Sequence, residues 1–445
     1  MRVKVVCVGG GPAGLCLAVL LKRQNRSHDV TVHERDPEGS TYGWGVTYWR
    51  GLLDRLREHD PETAREVEAH SVRWQEGVAH VGGATTRHRG DEGFGIGRHR
   101  LLALLAGRAR ALGVRLEYGS TLTEPPAGAD IVVAADGAHS ALRARHADHF
   151  GTLTTPGRNH YVWLGTTKVF DAFTFAFTET GHGWIWAYGY GYSGERSTVV
   201  VECAPETFTG LGLDRADAHD ALAPLEELFA GVLDGHPLIA RPGASWQRFR
   251  TLTNRSWHHG NLVLLGDAAH TTHYSIGAGT TLALEDAMCL ADALRDHRTL
   301  PGALAAYEHR RRGELLSAQS AARYSARWYE ELPRYIHLPP HRMFALLGQR
   351  HSPLLPYVPP QLYYGLDKAA GQLEPLRRLK RWLGPRAARA LHARTMGASA
   401  MGASALGAPA MGASAMCADA MDAHTMDVRA MDTDATDARA TDGRG

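Results

Sequence analysis

The chain has 445 residues, 44% of them hydrophobic, and a formal charge of +2. That is ample material for a large core and more than one domain, with no long-range field of the kind that gathers nucleic acid. Its five cysteines, Cys7, Cys16, Cys203, Cys289 and Cys417, show neither close pairing nor metal spacing, so a reducing cytoplasm and no metal site are expected. No apolar run reaches membrane-spanning length. With a first strand beginning at residue 2, no signal peptide is expected.

Residues 3–8 form an apolar strand that runs into Gly9-Gly10-Gly11-Pro12-Ala13-Gly14, and a second apolar strand, residues 30–33, ends in Glu34. This order predicts a dinucleotide site. Gly9 allows the tight turn, Gly11 lets the backbone approach a pyrophosphate, and Gly14 lets the following helix pack on the strand. The helix N-terminus adds free N–H groups and its dipole. Glu34 lies about 20 residues past the loop, where a carboxylate takes the ribose hydroxyls. The same carboxylate repels a ribose 2′-phosphate, which disfavours NADP in this loop and leaves NAD or the adenosine half of FAD.

Next come a loop rich in glycine and aromatics, Tyr42-Gly43-Trp44-Gly45-Val46, and a helical stretch over 51–70. Residues 96–105 carry Arg98 into a helix with apolar residues near 3.6 spacing. A buried strand over 131–135 delivers Asp136-Gly137, with Ser140 and Arg143 following. Another over 262–265 delivers Gly266-Asp267 and then the turn Ile276-Gly277-Ala278-Gly279-Thr280, which opens a helix through 282–294. In doubly wound sheets the carboxyl ends of the strands are where ligands sit. An Asp at a strand end also caps helices, which is the plainer alternative for Asp136 and Asp267.

Trp184, Trp186, Tyr188, Tyr190 and Tyr192 alternate with small or aliphatic residues, so their rings fall on one face of a single strand. Phe173, Phe175 and Phe177 repeat the pattern nearby. Either this is ordinary cross-strand packing, or Trp184, Trp186 and Tyr188 line a cavity for a flat apolar ligand. Arg310-Arg311-Arg312, Arg334, His337, His341 and Arg342 suit either a solvated helix face or phosphate binding. From Met396 the chain falls into pentads without aromatic residues, and residues 396–445 are expected to be disordered.

Taken together, the Gly9 to Gly14 loop with Glu34, Arg98 ahead of Leu101 and Leu105, the Asp136 motif, and Gly266-Asp267 with Gly277 and Gly279 resemble the single-component FAD-dependent aromatic hydroxylases of the p-hydroxybenzoate hydroxylase fold. The resemblance covers about residues 1–395. It implies an α/β architecture in which a Rossmann-like FAD-binding domain (1–150 and 255–300) is interwoven with a β-sheet substrate domain (151–254) and followed by a C-terminal helical segment (301–395). The cofactor set it implies is Gly9, Gly11, Pro12, Ala13, Gly14, Glu34, Arg35, Gly45, Val46, Arg98, Asp136, Gly266, Asp267, Gly277, Ala278, Gly279 and Thr280. Within it Glu34 serves the adenosine ribose, Arg98 the pyrophosphate region and Asp267 the ribityl chain, while Asp136 serves both flavin and nicotinamide docking.

A narrower likeness joins Asn159 to Thr166, Phe170 to Phe175, Glu179 to Trp184, His273 to Thr280 and Gln319 to Arg323 with the hydroxylase part of salicylyl-CoA 5-hydroxylase and 2-aminobenzoyl-CoA monooxygenase. The sequence departs from those relatives at Thr281, where they usually carry lysine, and in its more aromatic strand. By this resemblance the protein is an FAD-dependent monooxygenase that uses NADH or NADPH and O2 to hydroxylate or epoxidise an electron-rich ring through a flavin C4a-hydroperoxide. The partner is a small aromatic substrate, either CoA-linked or a free indole-like intermediate. His273 and Tyr274 read either as groups that orient or deprotonate a substrate hydroxyl, or as a buried histidine and a packing tyrosine. A halogenase, a prenyl-chain reductase or a flavoprotein module without turnover would share the dinucleotide loop. Tyr188-Gly189 stands where the halogenases normally carry Ile-Pro.

Overall fold

Unbroken apolar runs mark the strands Lys4–Val8, Ile131–Ala134 and Leu262–Leu264, which are buried on both faces almost throughout. Such strands belong in a parallel sheet covered on both sides. The structure, a computed structural model, describes residues 2–372 apart from 42 and 216. It sets these three strands parallel with Asp29–Glu34 and Arg115–Tyr118, and the short strand His258–His259 closes one edge antiparallel. Val8 is level with both His33 and Ala134, and Ala134 with Leu264. That register brings Gly9, Glu34, Asp136 and Asp267 to one edge. The pentad tail and the last part of the expected helical segment, 373–395, lie outside the described residues.

A second sheet of nine strands runs in the order Leu238–Ile239, Leu153–Thr166, Ser197–Cys203, Gly183–Gly191, Phe173–Thr180, Val72–Val81, Ala84–Gly97 and Gly45–Trp49, with Gln247–Thr253 also paired to Leu153–Thr166. Three of its strands therefore come from residues 45–97, inside the segment 1–150 expected to form the first part of the FAD-binding domain. The corner at Gly97 explains the sharing. Ala84–Gly97 buries Phe94 and Ile96, then turns directly into the helix Arg98–Ala111, which packs on the first sheet's helix Pro12–Gln24. The helical stretch expected over 51–70 is two helices, Arg50–His59 and Pro61–Ala69. Pro61 has no N–H to donate and forces Asp60 into an extended conformation between them.

The long helix Leu300–Glu330 links the two halves. Its first part sends Arg311 into the core beneath the first sheet, and its last part covers the second sheet with Trp328 and Tyr329. Arg310 and Arg312 face solvent, because three consecutive helical residues cannot share one face. Arg311 instead meets Asp286, which is fully buried. Asp286 takes the Arg311 Nε–H at 2.8 Å and the Gly266 N–H at 3.1 Å, and its Oδ2 lies 2.8 Å from His270 Nε2. Burial pushes this carboxyl up, but His270 and Arg311 more than offset it and hold the group below the usual carboxylate range.

Asp286→Ala would leave the Gly266 N–H unpaired and Arg311 buried with only Glu285 and Glu314 opposite it. The expected loss is about 3 kcal/mol, read as a lower urea midpoint at unchanged slope. A variant as stable as the parent would contradict this placement.

Candidate active site

At the shared strand edge the glycines are fixed by geometry. Gly9 has φ +114, and a Cβ on it would lie 2.2 Å from the Ala135 oxygen; one on Gly14 would lie 2.2 Å from the Gly9 oxygen. Only glycine lets strand and helix approach this closely. A Cβ on Gly11 would meet nothing within 4 Å, so this residue presents bare backbone to open space. Glu34 is oriented by the same loop, its Oε2 taking the Gly10 N–H at 2.7 Å and its Oε1 the Asp36 N–H at 3.0 Å.

Asp136 joins a helix cap with only one of its oxygens. Ser140 caps the helix Ala141–Arg145 by accepting from the Arg143 N–H, while Asp136 takes the Ala141 N–H at 2.8 Å with one oxygen. The other oxygen is buried and has no partner. Arg143 ties the two loops by donating to the carbonyls of Ala138 and Ala268. Asp267, exposed on the cavity wall, faces Arg98, which is half-buried. Enclosure by the surrounding protein raises the Asp267 carboxyl, opposed first by the Arg98 charge, and lowers the Arg98 guanidinium, opposed by Asp267. The Arg98 Nε is likewise buried without a partner.

These groups open on a cavity of about 1480 Å³, larger than the roughly 300–1,000 Å³ of a pocket for one small ligand. Gly9, Gly11, Pro12, Ala13, Glu34, Arg35, Gly45 and Val46 line it, as do Arg98, Asp136, Asp267, Gly277, Gly279 and Thr280. Gly14, Gly266 and Ala278 are not on its wall. A bound dinucleotide fits this end, since the unpaired Arg98 and Asp136 atoms and the open face of Gly11 all lack a partner that the protein itself supplies.

The same cavity reaches the aromatic face of the second sheet, where Tyr188, Tyr190, Phe173, Phe175 and Tyr161 line it. The five-ring row is thus split. Trp186 is buried against Tyr329, with ring centroids 5.7 Å apart and planes at 11°, and Trp184 meets the edge of His337 at 6.2 Å. Neither borders the cavity. The C-terminal helical segment covers that half of the strand, and nothing in the strand's own alternation marks where the cover ends. Tyr190 donates from its hydroxyl to the Gly45 carbonyl at 2.9 Å, pinning the glycine loop to this sheet.

His273 stands behind the wall, its ring between Phe249 and Tyr274 and its Nδ1 2.9 Å from Ser275 Oγ. Burial pulls its imidazole down to about 3, so the ring is neutral and weakly basic. Tyr274 does line the cavity, and its hydroxyl donates to Glu202 Oε2 at 2.8 Å. Glu202 went unnoticed in the sequence reading, although an acid ending the run Val199-Val200-Val201 is the signal that marks it. Arg350, equally unremarked, is buried on the wall and donates to Ser325 Oγ and to the carbonyls of Leu347 and Ser275. Among the described residues it has no carboxylate partner, so it leaves a positive charge at the aromatic end.

Arg334 donates to the carbonyls of Pro356 and Val358, away from the cavity. Among the described residues no group of three or more His, Cys, Asp or Glu is arranged to hold a metal, and no helix is long and apolar enough to cross a membrane.

Burial pushes the Glu202 carboxyl up from its ordinary 4.5 to about 7, against hydrogen bonds from Asn159 and Tyr274 that favour ionisation. Between those values the unfolded chain releases this proton before the folded one does, so stability falls as pH rises through the window. Glu202→Gln removes the titration. Melting temperatures of parent and variant from pH 4.5 to 8 should therefore diverge in the variant's favour as pH rises, and parallel profiles would contradict the assignment.

Residues 124–318 match the FAD binding domain family. The chain is 38% identical over 344 residues to salicyloyl-CoA 5-hydroxylase of a Streptomyces species, spanning 75% of this chain and 66% of that protein. It is 39% identical over 331 residues to the 3-hydroxy-4-methyl-anthranilyl-[aryl-carrier protein] 5-monooxygenase of Streptosporangium sibiricum, spanning 74% of this chain and 90% of that one. Among solved structures, a variant of 2-methyl-3-hydroxypyridine-5-carboxylic acid oxygenase shares the fold, with a TM-score of 0.64 at 19% identity, over 79% of this chain and 97% of that one. So does Pseudomonas aeruginosa PqsL in complex with 2-aminobenzoylacetate, with a TM-score of 0.59 at 20% identity, over 76% of this chain and 99% of that one. The chain belongs to the FAD-dependent aromatic monooxygenases, a family that uses NAD(P)H and O2 as co-substrates.

Proposed function

We propose that this protein hydroxylates the ring of an aryl thioester, carried on CoA or on an aryl-carrier protein, with FAD at the strand edge and the ring at the aromatic end of one cavity. The observation that carries the reading is the continuity of that cavity from the unpaired Arg98 and Asp136 atoms to Tyr188 and Phe175. In this reading Glu34 holds the adenosine ribose, Gly11 and the N-terminus of Pro12–Gln24 meet the pyrophosphate beside Arg98, and Asp267 takes the ribityl chain. Asp136 and the Gly277 to Thr280 turn flank the flavin, and the nicotinamide docks on the Asp136 side. Reduced FAD supplies the activation of O2. The chain's residues position the ring and keep water out, so that reducing power is not spent on peroxide.

Arg248 and Arg250 support the thioester. Both lie on Gln247–Thr253, line the cavity and are exposed, as groups that meet phosphates at a mouth must be. Arg350 supplies the matching charge inside, for a carbonyl or ring oxygen. We divide the chain by function rather than by the boundary at 150, with residues 45–97 serving the substrate sheet. We place the protein in the cytoplasm, in keeping with Cys7, Cys16, Cys203 and Cys289, which are free, buried thiols among the described residues.

The test is a panel on the FAD-loaded protein that compares salicyloyl-CoA and 2-aminobenzoyl-CoA with the free acids and with indole. The reading expects the thioesters to stimulate NAD(P)H oxidation at least tenfold over the free acids, with hydroxylated product matching reductant consumed. Product from indole or the free acids alone would overturn it.

A further inference from the structure

Tyr274 reaches the cavity with its ring wall, but its hydroxyl is committed elsewhere. A tyrosine hydroxyl has one proton and two lone pairs. Here the proton goes to Glu202 Oε2 at 2.8 Å, and Asn159 Nδ2 donates to Glu202 Oε1 at 2.8 Å. The carboxylate is 1% exposed, and its hydrogen-bond partners are neutral donors. With its proton given to Glu202, the Tyr274 oxygen keeps only lone pairs for any further partner.

We propose that Glu202 makes Tyr274 an obligate hydrogen-bond acceptor, so that the aromatic end selects rings bearing an O–H or N–H donor over rings of the same shape without one. The inference rests on the reading that this end takes the ring of the substrate. Tyr274 touches the ring; Glu202 is a positioning residue that acts through it. A ring with a donor completes the Tyr274 oxygen, whereas a ring without one leaves a buried acceptor unpaired, which corresponds to about ten- to a hundredfold in affinity.

The groups around Glu202 make the selection depend on pH. Asn159 and Tyr161 face it from one neighbouring strand, Trp186 and Tyr188 from the other, and Cys203 follows it on its own strand. Tyr329 and Glu330 approach from the long helix, and the Arg350 charge acts on Tyr188 and Tyr329. Among the described residues none forms an ion pair with Glu202, so burial dominates and its carboxyl is raised to about 7. Above that pH the group is an acceptor only and the polarity of Tyr274 is fixed. Below it, the protonated acid offers Tyr274 a donor in place of an acceptor, and the preference fades.

The test is ligand affinity on the oxidised holoenzyme, read by flavin fluorescence, with salicyloyl-CoA, 2-aminobenzoyl-CoA and 2-fluorobenzoyl-CoA, and with the corresponding free acids. At pH 8 the hydroxy and amino ligands should bind at least tenfold tighter than the fluoro ligand, and the gap should narrow as pH falls below 7. Tyr274→Phe should bring the three within about twofold. Glu202→Gln, whose amide donates to the Tyr274 oxygen, should shrink or reverse the preference, and Glu202→Asp should keep its direction. Equal affinities in the parent, a preference unchanged in both Tyr274→Phe and Glu202→Gln, or failure of every donor-bearing ligand to bind would each overturn the proposal. If only the free acids bind and show the preference, the selection by Glu202 stands and the thioester reading falls.

Discussion

A carboxylate with no access to water orders this molecule. Asp286 sits on the helix that follows the second glycine turn, yet its oxygens reach back to the Gly266 N–H and His270 and across to Arg311 on the long helix. A buried charge of this kind is tolerated only where hydrogen bonds replace its hydration. The segment from Gly266 to Thr280 inherits its path from that satisfaction. Its first end sets Asp267 against Arg98. Its middle is tied to the second sheet, where Thr271 Oγ1 takes the Leu252 N–H at 2.8 Å and donates to the Arg250 carbonyl at 2.8 Å. Its far end presents Tyr274 to the aromatic wall. One backbone segment therefore carries groups for both ends of the cavity, and what disturbs it at Asp286 is felt at both.

The two ends differ in polarity for reasons that follow from burial. At the strand edge a cation and an acid, Arg98 and Asp267, face one another with polar atoms to spare, a setting suited to a charged and hydroxylated ligand. At the aromatic end rings outnumber charges: Glu202 acts through Tyr274, and Arg350, on the wall, lies over Phe175 with its guanidinium 6.0 Å from the ring centre. A flat ligand there meets mostly apolar surface and few directional groups. That is the pattern expected where water must be excluded while orientation is kept.

Much of the strand edge was legible in the sequence because local rules govern it. A glycine at φ +114 packed on a neighbouring carbonyl, an acid at a strand end and a buried parallel strand each leave a signature within a few residues. The aromatic end was only half legible. Alternation put Trp184, Trp186 and Tyr188 on one face, and they are there. Which of them meets the cavity and which is covered by Tyr329 depends on a helix more than a hundred residues away, and period-2 spacing carries no such information. Asn159, Asp286 and Arg350 act through partners distant in the chain, so composition and spacing were silent about them, and Glu202 left only the faint mark of an acid at the end of an apolar run. The same reason hid the interweaving of residues 45–97, whose place in the second sheet is set by pairing with Phe173–Thr180.

FAD at the strand edge, with Asp267 at its centre, is the placement on which the two ends of the cavity depend, and flavin affinity of Asp267→Ala measures it directly. Loss of this acceptor leaves a buried ligand hydroxyl unpaired, so the variant should fold as the parent does and bind FAD about tenfold or more weakly, in line with about 1–3 kcal/mol. Full flavin occupancy with unchanged affinity in a folded Asp267→Ala protein would contradict the placement of the cofactor and, with it, the assignment of the aromatic end to the substrate.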